Sequence, residues 1–178
     1  MNAPLRRLCI TGPESTGKTT LAKRLAELGR TEWVPEASRL YAERKAGELT
    51  VSDVAPIARE HIALADSAEA RVRANGATQV VLDTDLLSTV VYARYYYGTV
   101  PAWIERVERA RRADLYLLCD VGVPWIADGV RDRPSSRDEM YVLFHGALLR
   151  RRAPFVVVKG DWDERWAIAG AALASFTS

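Results

Sequence analysis

The chain has 178 residues, 48% of them apolar and 27% charged, which is typical of one globular domain covering residues 1–178. The net charge of +2, without a basic run interleaved with aromatic residues, gives no support for nucleic-acid binding. The sequence contains neither an apolar signal core nor a run of about 18 apolar residues, so we expect no membrane span and a cytoplasmic location. Cys9 and Cys119 each lie in an apolar run, which predicts buried free thiols in a reducing compartment.

The first predicted strand, Leu5 to Thr11, ends in a loop with the pattern G-x-x-x-x-G-K-[ST]. A helical pattern follows directly, with Leu21, Leu25 and Leu28 spaced to share one face. A strand, this loop and a helix in succession are typical of a phosphate-binding P-loop, whose backbone amides surround the β-phosphate of a nucleotide. The segment therefore predicts binding of a nucleotide.

Within this loop, Gly12 and Gly17 allow backbone conformations that a Cβ atom would hinder. We expect Lys18 to reach the β- and γ-phosphates and the Thr19 hydroxyl to ligate Mg²⁺. The full set of predicted ATP-binding residues is Gly12, Glu14, Ser15, Thr16, Gly17, Lys18, Thr19 and Thr20.

Strands and helices alternate along the rest of the chain, which predicts an α/β fold: a three-layer P-loop NTPase or kinase fold. We expect a mostly parallel five-stranded sheet with helices on both faces. The later strands are predicted at 33–35, 79–83, 115–119 and 155–159. The later helices are predicted at about 37–46, 52–75, 86–97, 103–112, 137–152 and 162–174.

Ligands of such sheets bind beyond the carboxyl ends of the strands, and acidic residues follow two strands there. Asp83 ends an apolar strand, as a Mg²⁺-binding carboxylate does in P-loop proteins, although an Asp capping the next helix looks the same. Asp85 either caps that helix or accepts hydrogen bonds from substrate hydroxyls. Glu36 is the first candidate for the general base that faces an attacking hydroxyl, and a surface pair with Arg39 is the alternative.

The polar segment at about 121–137 predicts a lid-like loop. Arg131, Arg133 and Arg137 are candidates to stabilise the transferred phosphoryl group and exclude water on closure, and a solvated charged loop is the alternative. Trp125 is either an apolar anchor of this loop or a stacking platform for a flat ring.

Aromatic residues cluster on the helix predicted at 86–97, where Tyr92 and Tyr96 are i, i+4 neighbours. They either pack in the core or line a pocket for a base or pyridine ring. His61 lies on or near the apolar stripe of the preceding helix, where a packed or surface histidine is the more ordinary interpretation and a ligand contact the alternative.

Together these stretches resemble the ribosylnicotinamide kinase domain of NadR-type proteins, a P-loop kinase of an AAA-like ATP-binding family. The segments that carry the resemblance are 12–19, Pro35-Glu36 with Arg39, Asp83-Thr84-Asp85 with Thr89, Tyr96 with Gly98 and Pro101, and 124–131, which reads P-W-I-A-D-G-V-R. The resemblance implies transfer of the ATP γ-phosphate, with Mg²⁺, to the 5′-hydroxyl of nicotinamide riboside, giving nicotinamide mononucleotide. It also implies that Trp125, Asp128 and Arg131 belong to the lid.

The predicted catalytic residues are therefore Lys18, Glu36, Asp83 and Arg131, and the predicted metal ligands are Thr19 and Asp83. Substrate binding is predicted for Glu36, Arg39, Asp85, Tyr92, Trp125 and Asp128. No H-x-G-H motif is present, so we do not expect adenylyl transfer, and we do not expect operator binding. Kinases of other nucleosides or nucleotides and a nucleotide-dependent regulatory ATPase remain alternatives. A GTPase is less consistent with the sequence, which lacks an N-K-x-D segment.

Overall fold

The computed structural model of the protein describes residues 4–45, 47–122 and 136–177. The strands are β1 (Arg6–Thr11), β2 (Trp33–Val34), β3 (Gln79–Asp83), β4 (Leu115–Cys119) and β5 (Phe155–Val158). The helices are α1 (Lys18–Leu28), α2 (Ala37–Lys45), α3 (Val54–Ala74), α4 (Leu86–Tyr97), α5 (Ala102–Ala110), α6 (Arg137–Arg150) and α7 (Trp162–Thr177). A short 3-10 helix, Val51–Asp53, precedes α3.

The five strands form one parallel sheet in the order β2-β3-β1-β4-β5. The strand that precedes the phosphate-binding loop is therefore central. Ile10 of β1 pairs with Asp83 of β3, so the loop after β1 and the acidic segment after β3 emerge side by side. This register brings together two motifs that are about 70 residues apart in the sequence.

Successive side chains of β1 enter different cores, because neighbours on a strand point to opposite faces of the sheet. Leu8 and Ile10 pack with α1 and α7, whereas Cys9 packs with α3, α4 and α6. The predicted three-layer α/β fold with helices on both faces is confirmed. Cys9 and Cys119 are both buried free thiols, as expected.

A local sequence signal marks the start of α7. Asp161 and Glu164 form a reciprocal capping box at the start of α7, with both backbone amide to carboxylate distances at 2.9 Å.

The expected inward position of Leu28 is wrong, since 59% of this residue is exposed. The buried face of α1 instead includes Ala22 and Ala26, which turns Leu28 toward solvent at the end of the helix.

No helix among the described residues combines the length and apolar character needed to cross a membrane.

Candidate active site

The loop between β1 and α1 has the backbone conformation that its glycines predict. Gly12 has φ +129°, and a Cβ atom there would lie 2.7 Å from the carbonyl oxygen of Cys119. Gly17 has φ +80°, and a Cβ atom there would lie 2.5 Å from Cη2 of Trp162. Ser15 also has a positive φ, +51°. These conformations turn the chain tightly around the start of α1, and a side chain at either glycine would force it open.

Lys18 lies inside this loop and is only 7% exposed. Its Nζ donates a hydrogen bond of 2.6 Å to the Pro13 carbonyl oxygen, and the Thr16 hydroxyl donates to the same oxygen at 2.8 Å. Its ammonium group is thereby held at the N-terminus of α1, where the helix dipole also favours an anion. Of the other predicted ATP-binding residues, Glu14 is half-buried in the loop and Thr20 is exposed on α1.

The predicted metal ligands contact each other. The Thr19 hydroxyl donates a hydrogen bond of 2.6 Å to Oδ2 of Asp83. The other carboxylate oxygen of Asp83, Oδ1, is buried and has no hydrogen-bond partner among the described residues. Burial raises the pKa of Asp83 to about 6. A buried carboxylate oxygen without a donor is costly unless a cation or a donor binds it, so this atom points to a missing ligand.

Glu36 and Arg39 lie within electrostatic range of Asp83. The negative charge of Glu36 raises the pKa of Asp83, whereas the positive charges of Lys18 and Arg39 lower it. The Ser38 hydroxyl donates a hydrogen bond of 2.7 Å to Oε1 of Glu36. The carboxyl ends of β1, β2 and β3 thus bring together the loop lysine, two carboxylates and an arginine, as the sequence predicts.

The connection from β3 to α4 divides its two aspartates between different surroundings. Thr84 has φ +67°, an uncommon conformation for a β-branched residue. Asp83 faces Thr19, whereas Asp85 caps α4 by accepting a bond of 3.0 Å from the Leu87 backbone amide. The Tyr116 hydroxyl donates to the other oxygen of Asp85 at 2.7 Å. The helix-capping interpretation of Asp85 is therefore present in the structure, while its contact with a substrate stays a prediction.

Beside this cluster lies a cavity of about 310 Å³, a size within the range of small-molecule sites. Its walls come from α2, the segment before α3, α3 itself, and α4 with the connection that precedes it. The lining residues include Ser38, Glu48, His61, Asp85, Tyr92 and Tyr96. Ser38 also contacts Glu36, and Thr84 of the same lining follows Asp83, so the cavity borders the carboxylate cluster.

The tyrosines of α4 give this cavity an aromatic wall. The rings of Tyr92 and Tyr96 are stacked with centroids 6.1 Å apart and an angle of 6° between their planes. Tyr92 also packs edge to face against Phe144 of the core, at 5.6 Å. Tyr92 therefore lines the cavity and packs against the core at once, while a base or pyridine ring in this cavity stays a prediction.

Two residues that support the phosphate-binding loop were not singled out in the sequence. Arg165 of α7 is completely buried, and its guanidinium donates to the carbonyl oxygens of Thr16 (3.2 Å), Asp120 (2.8 Å) and Gly160 (2.9 Å). Trp162, at the start of the same helix, packs against Gly17 and stacks on Trp166. The capping box at Asp161 was the only local signal that a helix with such contacts begins here.

Replacing Arg165 with methionine is expected to lower the free energy of unfolding by about 2–4 kcal/mol, because three carbonyl oxygens lose their donor. The loop should also bind nucleotide more weakly, since the Thr16 carbonyl oxygen no longer accepts a hydrogen bond from the residue at 165. Denaturant unfolding and nucleotide titration measure the two effects. Arg109→Met, at an exposed position on α5, is the matched control. Equal stability of both variants would contradict this support role.

The start of α6 also reaches the phosphate-binding loop. Arg137 donates hydrogen bonds to the carbonyl oxygens of Ser15 (3.3 Å) and Val121 (3.1 Å). It is the one candidate arginine of the predicted lid that falls within the described part of the chain. The other residues predicted there, Trp125, Asp128, Arg131 and Arg133, lie outside the described residues, and their roles stay predictions.

Comparison with known proteins shows relatives along nearly the whole chain. Over 170 residues it is 32% identical to the trifunctional NAD biosynthesis/regulator protein NadR of Escherichia coli strain K12, and equally identical to NadR of Salmonella typhimurium strain LT2. Each match covers 91% of this chain, and the chain spans 40% of the length of these curated relatives.

Solved structures agree in fold. A crystal structure of NadR protein in complex with NR matches with a TM-score of 0.76 and 25% identity, covering 98% of this chain and 52% of that one. A second, of NadR protein in complex with NAD and AMP-PNP, matches with a TM-score of 0.65 and 25% identity, covering 93% and 50%. A family model described as an AAA domain matches residues 7–165. With its phosphate-binding loop, acidic strand end and parallel sheet, the chain belongs to this AAA domain family.

Proposed function

We propose that the protein is an ATP-dependent kinase that transfers the γ-phosphate to a hydroxyl group of a small molecule. The observation that carries this proposal is the position of the aromatic cavity beside the carboxylate cluster of Glu36 and Asp83. A phosphate donor in the loop and an acceptor in the cavity would meet at these carboxylates. A regulatory ATPase has no need of such an acceptor cavity next to its phosphate site.

The phosphate donor is held by the loop from Gly12 to Thr19. Backbone amides there bind phosphate oxygens, and Lys18 exchanges its bond with the Pro13 carbonyl for the donor's phosphates. The NadR structure with AMP-PNP supports a nucleotide in the equivalent fold. Arg165 and Trp162 hold the loop in place before the donor arrives, so little reorganisation is needed on binding.

Thr19 and Asp83 would hold Mg²⁺. A hydroxyl and a carboxylate are the oxygen ligands that this cation prefers, and the unpartnered Oδ1 of Asp83 is the atom that lacks a cation. When bound, the ion would neutralise charge on the phosphates. Among the described residues no group of three acidic, histidine or cysteine side chains forms an all-protein metal site. This agrees with a cation that takes its other ligands from the donor and water.

For the acceptor we propose nicotinamide riboside, with nicotinamide mononucleotide as the product. Its pyridinium ring carries a positive charge, and the cavity is lined by Tyr92 and Tyr96 together with Asp85 and Glu48. A cation over a tyrosine face is stabilised by the ring quadrupole, and the nearby negative charges add to this. The NadR structure with NR, which we take to be this riboside, is the relative that supports the choice.

The test is to incubate the protein with Mg-ATP and a panel of nucleosides and to follow phosphate transfer by mass. We expect nicotinamide riboside to gain one phosphate and ATP consumption to depend on the acceptor. Uridine and adenosine, whose bases are uncharged, are the comparison compounds. ATP hydrolysis that proceeds equally without any acceptor would contradict the kinase proposal. Preferential phosphorylation of an uncharged nucleoside would contradict the choice of acceptor.

Glu36 is our candidate for the general base that accepts the proton of the attacking hydroxyl. Glu36→Gln is expected to lower kcat at least about 100-fold, because an amide cannot take that proton, while ATP affinity changes little. Steady-state kinetics with varied ATP separates the two effects. Glu43→Gln on the exposed face of α2 is the matched control. If Glu36→Gln keeps the wild-type rate, another group serves as the base, with Asp85 next in line.

We propose that Arg131, Trp125 and Asp128 belong to a lid over the donor and acceptor, and that Arg39 contacts the substrate. We also place the reaction in the cytoplasm, supported by two reduced, buried thiols and by the use of ATP.

A further inference from the structure

His61 of α3 forms part of the wall of the aromatic cavity. It follows Val54 and Ile57 on one face of the helix, and all three line the cavity. The side chain is 6% exposed, so it is enclosed among the walls of the cavity and not displayed on the surface.

The polar atoms of this imidazole lack a protein partner. No hydrogen bond joins His61 to any other residue of the described ranges. Its two ring nitrogens are not among the atoms that are both fully enclosed and without a partner, so neither nitrogen is fully enclosed by protein. The polar edge of the ring is therefore open to the cavity. A buried histidine that serves only packing ordinarily satisfies its nitrogens within the protein. This one leaves its hydrogen-bonding capacity for whatever fills the cavity.

The surroundings keep this imidazole uncharged. Burial and, to a smaller extent, the positive charge of Arg111 lower the pKa of His61 to about 4, against smaller opposing effects of Glu69 and Asp66. At neutral pH the ring thus has one nitrogen that donates and one that accepts. A primary carboxamide is a matching group, because its N–H can donate to the unprotonated nitrogen or its oxygen can accept from the protonated one.

We propose that His61 is a specificity-determining residue that hydrogen-bonds the neutral, amide-type substituent on the ring of the phosphate acceptor. This inference rests on the proposed function and deepens it, because it states how the cavity selects among ring-bearing ribosides. The tyrosine faces favour a flat ring of any substitution, and the carboxylates favour a positive charge. The histidine supplies the discrimination that those features lack.

The test is a double-mutant cycle between the side chain at 61 and the substituent on the acceptor. Wild type and His61→Leu are each assayed with nicotinamide riboside and with the pyridinium riboside that lacks the carboxamide. We expect wild type to prefer the carboxamide compound about 10- to 100-fold in kcat/KM, and His61→Leu to prefer it less than about threefold. The change should lie in the KM for the acceptor, with kcat and the KM for ATP little altered.

Two further variants separate recognition from folding. His61→Asn, which keeps a donor and an acceptor, should recover part of the preference that His61→Leu loses. His61→Phe, which keeps a planar ring without the nitrogens, should lose the preference and replaces His61→Leu if the latter does not fold. The other histidine of the chain, His145, stacks on Tyr141 in α6 and lies outside the cavity lining. The control variant His145→Leu should therefore retain the wild-type preference. An unchanged preference in His61→Leu, or an equal loss with both acceptors, would overturn the proposal.

Calorimetric measurement of acceptor binding without ATP distinguishes a failure of the proposed kinase activity from a failure of the proposed role of His61. If wild type binds nicotinamide riboside but transfers no phosphate, only the proposed reaction fails. In that case we expect His61→Leu to weaken the binding about tenfold or more, and unchanged binding would overturn the role of His61. If wild type does not bind nicotinamide riboside at all, both proposals are overturned.

Discussion

Replacing Lys18 with alanine is expected to lower kcat about 100- to 1,000-fold, because the phosphates lose the positive charge that is aimed at them in a buried site. Lys18 is held 2.6 Å from the Pro13 carbonyl at the N-terminus of α1, so its ammonium is already in place before the donor binds. Steady-state phosphate transfer to the acceptor measures the loss.

The fold should survive this change. Lys18 contributes one hydrogen bond to its own loop, whose removal costs about 1 kcal/mol, and the change also removes a buried charge. Thermal unfolding should therefore shift by only a few degrees. Lys23→Ala, at an exposed position of the same helix, is the matched control and should retain full activity. A Lys18→Ala variant that is within threefold of the wild-type rate would exclude the predicted role.

Asp83→Asn is expected to abolish most activity while making the protein more stable. The variant keeps an oxygen that accepts from Thr19 but removes the negative charge that the proposed cation requires, so kcat should fall at least about 100-fold. The gain in stability has a separate cause, which is the cost of an ionised carboxylate buried without a partner for Oδ1.

The pH dependence of this gain has a definite sign. The pKa of Asp83 is raised from 3.8 to about 6 in the folded protein, so the folded state binds the proton more tightly than the unfolded state does. The free energy of unfolding of the wild type therefore falls as pH rises from about 4 to about 6. Asp83→Asn lacks this contribution and should exceed the wild type by on the order of 2–3 kcal/mol above pH 6, a difference that shrinks toward pH 4.

Denaturant unfolding at pH 4 and pH 7 measures the difference. Asp163→Asn, at an exposed position in the first turn of α7, is the matched control and should show no comparable pH-dependent gain. The wild type should retain a similar slope from Asp85, whose pKa burial also raises to about 6. An Asp83→Asn variant less stable than the wild type at pH 7 would contradict the view that this carboxylate is strained by burial.

A gain in stability together with a loss of activity would identify Asp83 as a residue kept for function. Proteins hold unfavourable groups where the chemistry requires them, and the ligand that binds there restores the balance. The positive φ of Thr84 next to it is a second local cost at the same edge of the sheet. Both of these local costs thus lie where we place the reaction.

Features that depend on near neighbours in the chain were determined by the sequence. The phosphate-binding loop needs two glycines at fixed spacing between a strand and a helix, and Gly12 and Gly17 both have the positive φ that this spacing predicts. The capping box of Asp161 and Glu164 is equally local. The order of strands and helices then restricts the sheet to a parallel one, because parallel strands require crossover connections.

Only the tertiary structure decided which long-range contacts complete the site. Arg165 donates to Thr16 from 149 positions away, and Tyr116 of β4 donates across the intervening strand β1 to Asp85, which follows β3. His61 was indistinguishable in the sequence from a packed residue of an apolar stripe, because periodicity gives the buried face and not what lies opposite it. Such contacts depend on how the helices pack over the sheet, so they become visible only when every element is in place.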